Sequence, residues 1–151
     1  MSNTDIYATA KTNLLAKKTE QGYVQLVTDC WGMVVEFELE WHRQNGGTSQ
    51  VNSGLMPDYA SPSTMIQEVE AMGSSLENII STLGWDILAV GTEKQDGDIA
   101  ICTVNHMQDI PYWTAWFWNN NAWEISAENS HELVRQPRLP VIEYHLRKRA
   151  S

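Results

Sequence analysis

The chain has 151 residues, 42% of them hydrophobic, which is the size of one domain whose core needs neither disulfide nor metal. A formal net charge of −9 argues against nucleic acid as a partner, because neutralising phosphates takes clustered Lys and Arg. Two cysteines are too few for a disulfide scaffold, and no run approaches the roughly 18 apolar residues of a membrane span.

Asp5, Asn13 and the lysines interrupt any apolar stretch at the start, so a protein made in the cytoplasm without a leader of its own is expected. Ile6, Tyr7, Ala10, Leu14 and Leu15 fall at helical spacing and predict a first helix over about 5–18. A second helix starts at Asp29 or Cys30, with Asp as N-cap; Cys30, Val34, Phe37 and Trp41 line one face, and Gln44-Asn45-Gly46-Gly47 ends it. Residues 45–60 read as a surface loop. Ser61-Pro62 opens a third helix with Met65, Ile66, Val69 and Met72 as its buried stripe, closed by Gly73. Ser74-Ser75-Leu76-Glu77 is a capping box for a fourth, ended by Gly84.

The period then changes to that of strands. Trp85–Val90, Asp98–Val104, Tyr112–Trp118 and Trp123–Ser126 read as strands, the last two joined by a hairpin tip at Asn119-Asn120-Asn121, because Asn tolerates positive φ. Asn129–Arg135 reads as a short helix, Val141–Arg147 as a last strand, and Arg147-Lys148-Arg149 opens a solvated basic tail over 147–151. Helices first and an antiparallel meander after them argue an α+β class.

Thr28-Asp29-Cys30-Trp31-Gly32 places a thiol at the first turn of a helix, where N–H groups and the helix dipole favour the thiolate. The other reading of Cys30 is a buried helix-start cysteine behaving as a small apolar residue. Asp29-Cys30-Trp31-Gly32-Met33-Val34 resembles the nucleophile motif of the NlpC-type, papain-like cysteine hydrolases, including their phage-tail branch. Asp96-Gly97-Asp98-Ile99-Ala100-Ile101 resembles their first core strand, and 114–126 their next hairpin. The likeness runs in order over roughly residues 24–147. It implies an NlpC-type fold over a single domain, 1–151, with N-terminal helices (helix and loop at 1–22) packed on an antiparallel four- to five-stranded sheet. It also implies Cys30 as the nucleophile position.

The chain departs from that family where the base should be. The two histidine positions of the family fall on Thr114 and Ser126, and threonine cannot take a proton from a thiol near neutral pH. His106 is the nearest substitute; His131 and His145 read as surface or structural, and His42 lies about 18 Å along the helix from Cys30. His106 with Asp109 is too sparse for a metal site, and no metal or cofactor is expected. Glu124 and Glu128 read as solvated acids rather than a glycosidase pair.

Tyr112, Trp113, Trp116, Trp118 and Trp123 crowd a 12-residue window. They either plug the sheet or, with Trp113, Trp116, Trp118 and Trp123 as binding residues, form a contact surface for a protein neighbour or a sugar. The function expected is a non-catalytic NlpC-like module of phage origin, virion- or tail-associated, with protein neighbours as partners and carried on a phage particle. The alternative is an active cysteine hydrolase, an endopeptidase or amidase cleaving peptidoglycan peptides, with Cys30 as nucleophile and His106 or another histidine as base.

Overall fold

Ile6, Tyr7, Ala10, Leu14 and Lys18 recur every few residues, and they form the buried stripe of α1 (Asn3–Gln21). The Ser2 side chain caps it, accepting from the Asp5 N–H, so the helix is longer at both ends than the spacing predicts. The computed structural model describes residues 2–52, 55–57, 62–105, 110–127, 132–139 and 141–149.

α2 (Cys30–Asn45) begins as its cap predicts: Asp29 Oδ1 accepts from the Gly32 N–H at 2.7 Å. Its buried side includes acids as well as apolar residues, with Glu36, Glu38 and Glu40 beside Val34 and Phe37. The following segment is not all surface loop: it holds a 3-10 turn (Gln50–Asn52), and Val51 and Met56 are buried. α3 (Pro62–Ala71) buries Met65 and Val69, but Met72 lies past its end and is exposed. α4 (Leu76–Thr82) is capped one residue later than predicted, by Ser75 accepting from the Asn78 N–H.

Among the described residues six strands form one antiparallel sheet, one or two more than expected: β1 (Trp85–Ile87), β2 (Ile99–Asn105), β3 (Ile110–Asn119), β4 (Ala122–Ile125), β5 (Val134–Gln136) and β6 (Tyr144–Lys148). Their order is β1-β6-β2-β3-β4-β5. The β3–β4 turn is the predicted one, with Asn120 and Asn121 at φ 51° and 65°. The short helix expected over Asn129–Arg135 is not formed in its described part. Val134–Gln136 instead pairs with β4, setting Arg135 opposite Glu124 with its guanidinium 3.4 Å from the carboxylate.

The helices cover one face of the sheet. Tyr7 of α1 stacks on Phe117 at 4.9 Å, and Phe37 of α2 meets both Phe117 at 5.3 Å and Trp85 at 5.5 Å. Burying each such ring contributes about 2–3 kcal/mol. Strand alternation puts Ile99, Ile101, Ala115, Phe117 and Leu146 on this face.

The predicted basic tail is a correction. Arg147 and Lys148 belong to β6, between β1 and β2. Arg147 forks onto Asp98, Lys148 reaches buried Glu38, and Arg149 binds Asp86. Among the described residues no helix is long and apolar enough to cross a membrane.

Candidate functional site

The thiol position is built by a tight loop ahead of α2. Thr28 Oγ1 donates to the Gly22 carbonyl at 2.6 Å and accepts from the Val24 N–H at 2.7 Å. Leu26 takes a positive φ of 63° to complete the turn. The loop then runs so close to the helix that a Cβ on Gly32 would lie 2.4 Å from the Val27 carbonyl, which is why only glycine fits there.

Cys30 is buried, only 2% exposed, with α2 against β3 and the Ala115 N–H donating to its sulfur. Burial pushes the thiol well above its usual range, and the neighbouring Asp29 carboxylate adds to this. Backbone N–H groups, Ala115 among them, pull the other way and lose. The helix-terminus effect is worth a kcal/mol or so at most sites, and complete desolvation exceeds it. Cys30 is therefore held as a neutral thiol.

The residues at the family's histidine positions are apart from one another. Ala115 and Phe117 face the helices, so Thr114 points from the opposite face, where it accepts from Trp116 Nε1 at 3.1 Å and hydrogen-bonds Cys102. Ser126 is buried and donates to the Thr28 carbonyl at 2.5 Å while accepting from Lys18 Nζ at 3.0 Å. It braces the loop that precedes Cys30. Burial lowers the Lys18 ammonium below its usual value.

Of the imidazoles, His42 sits at the far end of α2 with Nδ1 3.0 Å from the Gly46 carbonyl, and His145 lies on the outer sheet face. His106, His131 and Glu128 are outside the described residues. Glu124 is not solvated, contrary to expectation: it is fully buried and accepts from Tyr7 at 2.8 Å and Lys11 at 3.1 Å. Among the described residues no three His, Cys, Asp or Glu side chains are grouped to hold a metal.

The outer face carries a cavity of about 490 Å³ between the 87–94 segment and the sheet. His145 of its lining is held by buried Asp98, which accepts from His145 Nε2 at 2.7 Å, from Arg147 Nε at 2.8 Å and from Arg147 Nη2 at 2.9 Å. The Asp98 carbonyl accepts from the Trp118 N–H, and the Trp118 carbonyl accepts from the Gly97 N–H, which fixes the backbone of Trp118, a lining residue. Trp118 meets Trp123 edge-on at 5.1 Å, and Lys94 Nζ stands 5.2 Å from the Trp118 ring centre.

The four tryptophans singled out from the sequence thus do not form one surface. Trp113 packs in the core, where its carbonyl accepts from Trp31 Nε1, and Trp123 is 1% exposed; Trp116 and Trp118 are partly open on the outer face. The 87–94 segment and the Asp98–His145 pair were missed from sequence. Their only signal was His145 and Arg147 spaced two apart, which sets both side chains on one strand face. Comparison with protein families, with curated proteins and with solved structures finds no match to this chain.

Proposed function

We propose that this chain is a non-catalytic module on an NlpC-type papain-like scaffold, acting through protein contacts as a virion- or tail-associated component. The scaffold reading is supported by Cys30 at the start of α2 against β3, by Asp98 at the head of β2 and by the Asn120-Asn121 hairpin. The observation that carries the loss of activity is the buried, neutral thiol of Cys30. A cysteine hydrolase needs a thiolate that substrate can reach and a base within hydrogen-bond distance.

The test is a digest of purified peptidoglycan with the wild-type chain and with Cys30→Ala. Equal, background-level release of muropeptides is expected from both. Cleavage by the wild type that Cys30→Ala abolishes would establish the hydrolase instead, with His106 the first base to replace. Mass spectrometry of phage particles from the native source tests location: the chain is expected among their components.

A further inference from the structure

The outer-face cavity lies across the sheet from Cys30, and the scaffold reading does not use it. Its volume falls in the range of built ligand sites rather than of packing gaps. Three observations bear on what it takes. First, a cation already stands in it: the ammonium of exposed Lys94 lies 5.2 Å from the centre of the Trp118 ring. Second, Glu93 and Glu143 line the same cavity, and neither carboxylate is paired among the described residues. Lys94 is the lining's one lysine, and His145 already donates to Asp98. Third, the 87–94 segment that walls it exposes two apolar side chains, Ile87 at 58% and Val90 at 106%.

A ring face, two carboxylates and an apolar rim together match a group with a hydrocarbon stem and a positive head. Arg and Lys side chains have that form. The acidity of the whole chain adds attraction at long range and repels phosphorylated ligands.

We propose that this cavity docks an Arg or Lys side chain of a protein neighbour, stem against Val90 and head over Trp118 between Glu93 and Glu143, with Lys94 holding the place until the partner arrives. The proposal rests on the reading of the chain as a protein-binding module and names the chemistry of the contact. Lys94 is then a built-in competitor, so its removal strengthens binding. A purely structural lysine would not do that.

The experiment is a titration of the full chain with N-acetyl-arginine amide and with N-acetyl-lysine amide. It is followed by the indole N–H signal of Trp118 in NMR, assigned by its loss in Trp118→Phe. Saturable shifts in the millimolar range are expected for both probes, weakening as salt rises. N-acetyl-citrulline amide, the neutral counterpart of the arginine probe, is expected to give none. Lys94→Ala should tighten binding about two- to fivefold, and Glu143→Gln should weaken it by a similar factor. Both substitutions are at exposed positions, so the result does not hang on whether a core variant folds.

No saturable shift, an equal shift with the citrulline probe, or no tightening in Lys94→Ala would each overturn the proposal. A response to N-acetylglucosamine alone would reassign the cavity to a sugar. None of these results alters the reading of Cys30, which the muropeptide digest decides separately.

Discussion

Lys148 Nζ lies 2.6 Å from Glu38 Oε1, so the last strand is tied to α2 by an ion pair in which both side chains are buried. Lys148 also donates to the Leu83 carbonyl and stands 4.5 Å over the Trp41 ring, while Glu38 Oε2 has no partner among the described residues. Burial outweighs the attraction of Lys148 and raises Glu38 from 4.5 to about 7. A carboxyl raised in the folded state binds its proton more tightly there than in the unfolded chain. Its cost to stability is therefore full above about pH 7 and relieved as pH falls toward 4.5. Thermal melts should show this contribution as a rise in Tm between about pH 8 and pH 5.5, and Glu38→Gln should flatten it. A wild-type profile no steeper than that of Glu38→Gln over this interval would contradict the assignment.

Lys148→Met tests the same pair from the other side. It leaves a buried carboxylate without its cation, and breaking such a pair costs about 3–5 kcal/mol. The double variant with Glu38→Gln should recover much of that loss, because no charge then remains buried alone. Denaturant unfolding of the three variants measures the coupling.

Thiol reactivity should follow the burial of both cysteines. Cys30 is 2% and Cys102 7% exposed, and burial raises both thiols, Cys102 to about 11. In the native protein at neutral pH, a thiol reagent should modify neither until the chain unfolds. Rapid, stoichiometric labelling of Cys30 under native conditions would be incompatible with its present surroundings and would reopen the catalytic reading.

Ser126→Ala removes the donor to the Thr28 carbonyl and an acceptor for Lys18, both buried. A loss of about 1–3 kcal/mol is expected from the groups left unpaired, read as a lower urea midpoint. Gly32→Ala should also destabilise, since its Cβ would meet the Val27 carbonyl at 2.4 Å and the loop must move. The expected cost is about 1–3 kcal/mol. Equal midpoints for Gly32→Ala and wild type would show that the loop yields freely.

The helices were legible because their signals are local. Asp29 before Cys30 and Gly46 after Asn45 act within one turn of chain, and the Asn120-Asn121 tip likewise needs no distant partner. What failed depended on contacts far along the chain. Arg147 and Lys148 read as a solvated tail because their acids, Asp98 and Glu38, are 49 and 110 residues away. Val134–Gln136 reads as polar and helical alone, and becomes a strand through Glu124 opposite Arg135. At Cys30 the helix start and the buried, apolar reading were both legible, because Cys30 shares a helix face with Val34 and Phe37; what was not legible is the contact with β3 that completes the burial and so sets the state of the thiol.

The place of β6 in the sheet has a consequence for how the chain is born. Among the described strands β1 pairs only with β6, which emerges from the ribosome roughly 60 residues later. At ordinary rates of synthesis Trp85–Ile87 waits roughly 3–12 s for its neighbour, and the near edge of β2 waits with it. Through that interval the nascent chain displays a row of unpaired backbone groups along β1 and the near edge of β2. Closure of the sheet is thus a late, long-range event, and expression at low temperature or with abundant chaperone should raise the soluble yield more than any strengthening of the early helices.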